Sequence, residues 1–99
     1  LRLPPDPAGC PGHVYHHFVI RAPRRDALRA FLTARDIETE LYYPLPLHLQ
    51  PCLSHLGYRK GSLPRTEAAA EEILALPVHA DLNPAQLDAV SAAVIEFYR

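Results

Sequence analysis

The stretch HVYHHFVIRAPRRDALRAFLTARDIETELY, residues 13–42, decides the fold. Its first part, His13 to Arg21, is rich in β-branched and aromatic residues and lies between Gly12 and Pro23, which predicts a strand. On a strand Val14, His16, Phe18 and Ile20 share one face, and Tyr15, His17, Val19 and Arg21 share the other. The first face is the expected core face, with His16 as its polar member. From Arg24 to Arg35 the apolar residues recur at helical spacing, with Ala27, Leu28, Phe31 and Leu32 on one stripe. Asp26 near the start and Arg35 at the end suit the helix dipole. Ile37 to Tyr42 alternates apolar and polar residues and predicts a second strand. A strand, a helix and another strand of this length make a compact α/β unit.

The segment before this unit, residues 1–12, holds four prolines and two glycines. That composition sustains neither a helix nor a central strand, so it reads as an extended linker entering a domain at residues 13–99. After the unit, residues 43–61 look irregular but not featureless. Pro44, Pro46 and Pro51 bias Tyr43, Leu45 and Gln50 toward extended geometry. YPLPLHLQP, residues 43–51, therefore reads as a stiff extended ribbon. Its apolar and aromatic content is too high for disorder, so it is expected to pack against something, on this chain or another. Leu63 to Leu76 predicts a helix with Pro64 in its first turn, Ala69, Ile73 and Leu76 on its buried stripe, and Pro77 as its stop. Val78 and His79 suggest a short third strand. Asn83-Pro84 is a helix start, an N-cap oxygen followed by a residue with no N–H to leave unpaired. Leu87, Val90, Val94 and Phe97 then line one face to the C-terminus. The expected fold class is α/β (α+β), a short antiparallel sheet against three helices.

The totals restrict function. Ninety-nine residues make one domain's worth of chain. A domain of that size buries roughly 60 to 68% of its unfolded surface, which suffices for one core but not for a deep enclosed site as well. The formal charge is −1 and the cations are scattered, so the basic face of a nucleic-acid binder is missing. No apolar run approaches the ~20 residues that span a membrane, and the first residues show no charged region followed by an apolar one, so a signal peptide is not expected. Cys10 and Cys52 are far apart and form no CxxC pair, which fits reduced thiols in a cytoplasmic protein. The chain begins at Leu1 and contains no methionine, so it is expected to be a fragment or a processed chain.

Several side-chain groups invite chemistry. His13, His16 and His17 have an HxxHH spacing, but strand geometry points His16 and His17 to opposite faces, and zinc recruits three or four convergent ligands. A metal site is therefore not expected. Cys52 with His48 or His55 lacks any motif that would orient a nucleophile and base, so a buried thiol and a surface imidazole are expected there. Glu67, Glu71 and Glu72 read as a solvated helix face, with Glu67 and Glu71 as i, i+4 neighbours. Tyr43 and His48 rank highest. A phenol and an imidazole on a proline-stiffened, partly exposed segment suit the binding of a polar ligand.

HVYHHFVIR, RRDALRAFLTARDIETELYYPLPLHLQP and HLGYRKGSLPRTEAAAEEILALPVHADLNPAQLDAV together resemble the C-terminal end of the DegT/DnrJ/StrS sugar aminotransferases. The most specific parts are Tyr43 to Pro51 and Leu56 to Pro77. The resemblance implies the small C-terminal subdomain of an aspartate-aminotransferase-like fold, whose larger domain binds pyridoxal phosphate. It implies a homodimer that moves an amino group from glutamate to a nucleotide-linked keto sugar. It places Tyr43 and His48 on the substrate side. The lysine that bonds the cofactor belongs to the large domain; the single lysine here, Lys60 in GYRKG, matches a polar turn, so the chain alone is expected to be inactive. Tyr42 stands where the family often has histidine or another polar residue. Two other readings remain open at this stage: a free-standing binding or dimerisation module, and part of a related sugar dehydratase.

Overall fold

The computed structural model describes residues 1–99. In chain order the elements are β1 (Phe18–Arg21), α1 (Arg25–Thr33), two 3₁₀ turns (Leu47–Leu49 and Pro51–Leu56), α2 (Pro64–Glu72), β2 (Ile73–Leu76) and α3 (Pro84–Tyr98). The strands pair antiparallel, with Ile20 opposite Leu74 and Val19 opposite Ala75. Two single-residue bridges widen this sheet: Arg2 joins the outer edge of β1, and Glu40 joins β2 at Ala75. No helix is long and apolar enough to cross a membrane.

Ile20, Leu28, Leu32 and Leu74 are fully buried, and Ala22, Ala93 and Val94 complete the core. The apolar stripe of α1 thus covers one face of the sheet. The C-terminal half of α3 packs beside α1, where the Phe31 and Phe97 rings lie 5.3 Å apart. Arg24 sits in the left-handed region (φ 55°), and its guanidinium lies over the Phe97 ring at 4.7 Å. The Tyr98 hydroxyl donates to the Pro23 carbonyl at 2.6 Å. α1 ends in a Schellman-type closure. Ile37 N–H donates to Leu32 O, Asp36 N–H donates to Thr33 O, and Asp36 has φ 58°. The end of α3 is therefore tied to the turn between β1 and α1.

The structure corrects the expected element boundaries. The first strand starts at Phe18, not His13. Tyr15 has φ 44° and its N–H donates to His13 Nδ1 at 3.1 Å, so the chain departs from extended geometry there, tied to a side chain instead of a neighbouring strand. Val14 is exposed rather than part of the core face. His16 and His17 do not point apart: their tilted rings meet at 4.1 Å, and the His17 ring meets that of Tyr42 at 4.1 Å. α1 stops at Thr33, and Arg35 beyond it reaches Glu96 on α3 at 2.8 Å. The strand expected at 37–42 reduces to the bridge at Glu40.

The largest correction concerns Ile73–Leu76, which forms β2 instead of the last turn of a helix. A short apolar run suits a buried strand and a helix end equally well by periodicity. Here the unpaired edge of β1 decides, because pairing with it buries Leu74 and Ala75. Arg25 stabilises the switch from helix to strand. Its Nη1 donates to the carbonyls of Ala70 and Ile73, at 3.1 and 2.9 Å, at the end of α2. The buried face of α2 is consequently Ala70, not the stripe through Ala69, Ile73 and Leu76. Val78 and His79 form no strand and are exposed. Asn83 caps α3 as expected: its side chain accepts from Gln86 N–H, and the Gln86 side chain accepts from Asn83 N–H. Leu87 is 49% exposed, because it precedes the half of α3 that meets α1.

Candidate functional site

Residues 43–63 connect the sheet to α2. They are not the uniformly extended ribbon that their prolines suggest. Tyr43 has φ 62°, in the left-handed region that a bulky residue before proline rarely occupies. Strain of this kind costs about 1–3 kcal/mol and tends to gather at functional sites. Its effect here is to turn the Tyr43 side chain outward, 77% exposed, with no hydrogen bond. Pro46 and Gln50 are extended, while Leu47–Leu49 and Pro51–Leu56 tighten into 3₁₀ turns. Gly57, at φ 78°, ends the second turn where a side chain would be strained.

His48 behaves oppositely to Tyr43. It is 7% exposed, and its Nε2 lies 2.9 Å from Glu67 Oε1. The Tyr58 ring stands edge-on to the imidazole at 6.0 Å. Glu67 also accepts from Gly61 N–H on both carboxylate oxygens, at 2.9 and 2.8 Å, and from Leu63 N–H at 3.3 Å. These bonds, that from His48 foremost, hold the Glu67 carboxyl below its usual range. Sequence reasoning assigned Glu67 to a solvated face; the structure withdraws it, leaving the side chain 15% exposed. The signal was the N-terminus of α2. Leu63 cannot cap it with a side chain, and the acidic residue in the first turn takes over that role.

Tyr43 and His48 share the segment but are not joined by a hydrogen bond or ring contact. The thiol expected to be buried, Cys52, is exposed; of the two imidazoles expected at the surface, His55 is exposed and His48 is buried. Glu71 is exposed as expected, whereas Glu72 is half-buried and bonds Arg21 at 2.9 Å. A separate open groove of about 690 Å³ runs between the end of β2, residues 36–42 and the start of α3. His16, His17, Glu38, Tyr42 and His79 are among its lining residues, and neither Tyr43 nor His48 reaches it. No three histidine, cysteine or acidic side chains converge on a point that would hold a metal ion.

Residues 1–95 match the profile of the DegT/DnrJ/EryC1/StrS aminotransferase family. The chain belongs to this family. It is 52% identical over 87 residues to a "pleiotropic regulatory protein" of Geobacillus stearothermophilus, an alignment that covers 88% of this chain and 23% of the relative. It is 43% identical over 84 residues to the dTDP-3-amino-3,4,6-trideoxy-alpha-D-glucose transaminase of Streptomyces venezuelae, covering 85% of this chain and 22% of the relative. The solved structure of S. venezuelae DesV in complex with a ketimine intermediate superposes with a TM-score of 0.80 at 42% identity, over 84% of this chain and 22% of that one. A family aminotransferase from Brucella abortus superposes with a TM-score of 0.75 at 36% identity, over 82% of this chain and 22% of that one. The chain therefore spans a quarter or less of the length of the relatives it matches.

The site residues do not by themselves fit pyridoxal phosphate, the cofactor the family resemblance implies. That group needs a lysine in a setting that activates its amine, and an anion cradle for its phosphate. The one lysine, Lys60, is exposed on the turn before α2.

Proposed function

We propose that this chain is the C-terminal subdomain of a pyridoxal-phosphate-dependent aminotransferase acting on a nucleotide-linked keto sugar, with glutamate as amino donor. The observation that carries the reading is the joint sequence and fold agreement with the S. venezuelae proteins, one named as a sugar-nucleotide transaminase and one solved with a ketimine intermediate. In this reading the cofactor-bonding lysine lies outside residues 1–99, the enzyme is a homodimer, and the chain alone is inactive.

The chain's own residues bind and orient. Tyr43, strained outward and lacking a partner, offers a phenol to substrate hydroxyl or phosphate groups. His48 supplies a buried imidazole on the same segment. The exposed Leu45 and Leu47 between them give the segment an apolar surface that excludes water when covered.

The test is an assay of the full-length enzyme with glutamate and a panel of dTDP- and UDP-linked keto sugars. Formation of 2-oxoglutarate with an amino sugar of matching mass supports the reading. Loss of water from the sugar without nitrogen transfer would replace it with the dehydratase reading. No turnover of any nucleotide sugar would leave the binding-module reading.

A further inference from the structure

Glu67 lies where three pieces of chain meet: the ribbon through His48, the turn through Gly61, and the start of α2 through Leu63. Its carboxyl is held below the usual carboxylate range by these donors, so it is ionised near neutral pH. An ionised carboxylate only accepts hydrogen bonds. The 2.9 Å contact with His48 therefore requires a proton on Nε2. In the neutral imidazole the lone pair then resides on Nδ1, on the side of the ring away from the Glu67 bond. Nδ1 is buried and has no partner. Native chains leave few buried polar atoms unpaired, because each forfeits its hydration.

We propose that Glu67 is a positioning residue, which locks His48 as the Nε2–H tautomer so that Nδ1 accepts a hydrogen bond from a hydroxyl of the sugar substrate. The proposal rests on the substrate-side reading of His48 given above. A lone pair on Nδ1 selects a donor. A hydroxyl provides one, whereas an ionised phosphate or carboxylate does not. The same chemistry is available from a hydroxyl side chain elsewhere in the full-length enzyme, and the experiment separates the two. Access to Nδ1 requires a side-chain movement. The half-exposed Tyr58 ring, edge-on to the imidazole at 6.0 Å and without a hydrogen bond of its own, is the neighbouring side chain least held in place.

The experiment uses the full-length enzyme with ¹⁵N-labelled histidine, probed with dTDP-glucose and UDP-glucose as hydroxyl-bearing nucleotide sugars. Two-bond ¹H–¹⁵N correlations report which ring nitrogen of His48 carries the proton. The expected wild-type spectrum has a protonated Nε2 and a free Nδ1, with the Nδ1 resonance shifting when a probe binds. Glu67→Gln, whose amide donates as well as accepts, is expected to mix the two tautomers and to weaken probe binding roughly tenfold, the usual worth of one buried hydrogen bond. His48→Gln, which reaches Glu67 but has no atom at the Nδ1 position, is expected to weaken binding equally while leaving the fold intact.

A wild-type ring protonated on Nδ1, or a Glu67→Gln enzyme with unchanged ring resonances and affinity, overturns the positioning role. An Nδ1 resonance already hydrogen-bonded before the probe is added, and unmoved by it, assigns the hydroxyl to the protein and overturns the substrate half. An enzyme that binds neither probe but aminates another nucleotide sugar is titrated with that sugar, and the same two criteria apply. An enzyme that acts on no nucleotide sugar defeats the aminotransferase reading and the substrate half together, while the tautomer still decides the role of Glu67.

Discussion

The sheet with α1 and α3, and the segment from Tyr42 to Leu63, are held together by different physics. The first region contains every fully buried large side chain: Ile20, Leu28, Leu32 and Leu74. The second exposes Tyr42, Tyr43, Leu45, Leu47, Leu56, Tyr58 and Leu63, and buries only Pro46 and His48. The chain is correspondingly expanded, with a radius of gyration of 15.7 Å against about 13 Å for a compact domain of this size. Apolar burial stabilises the first region. A knot of hydrogen bonds centred on one carboxylate fixes the second, whose apolar groups remain available to a surface outside residues 1–99. The fully buried side chains of the core carry no titratable group, while the ribbon is tied to the ionised Glu67.

Breaking the first region is expected to have the largest effect. Leu28→Ala or Leu74→Ala removes a fully buried side chain and should lower stability by about 2–5 kcal/mol, read by denaturant unfolding. Neither substitution should change how the ribbon responds to acid.

Breaking the second region is expected to act locally. The folded pKa of Glu67 is depressed below its ordinary value of 4.5. Its contribution is therefore fully present above that value and is lost as the pH falls through the lower, folded one. Hydrogen-exchange protection of the Gly61 and Leu63 amides, corrected for intrinsic rates, should fall in that acid window. Glu67→Gln should remove this pH dependence while leaving the amides of β1 protected.

A smaller effect is expected at the boundary of α3. Asn83→Ala removes the cap and should cost about 1 kcal/mol, measured as a shift of the unfolding midpoint. The smallest effect on stability belongs to Tyr43. Asparagine tolerates the left-handed region better, so Tyr43→Asn should change stability by no more than about 0.5 kcal/mol. In the full-length enzyme the same substitution should raise KM for the nucleotide sugar. An unchanged KM would remove Tyr43 from the proposed site.

The parts of the fold legible in the sequence were those whose local chemistry and tertiary role agree. The α1 stripe through Leu28 and Leu32, the Asn83-Pro84 start of α3 and the strand core at Phe18 to Arg21 are of this kind. The misread elements had two local solutions. Ile73–Leu76 continues a helix by composition and a sheet by partner. His13 to His17 carries strand formers but has no strand to pair with, so the backbone departs from extended geometry. At the site, Tyr43 and His48 stood out through residue type and proline context, but not through their surroundings. Glu67 was assigned to a solvated face because its partners, His48 and Gly61, lie nineteen and six residues away.

By itself the sequence determined that there are three helices, the Asn83 cap of α3, the α1 stripe and the family, because each is written in residues close together along the chain. The tertiary structure decided where α2 yields to β2, since an open strand edge outweighs helix propensity. It likewise decided that His48 turns inward to a carboxylate while Tyr43 turns outward. Burial and ion pairing depend on which groups meet in space, and local spacing does not encode that.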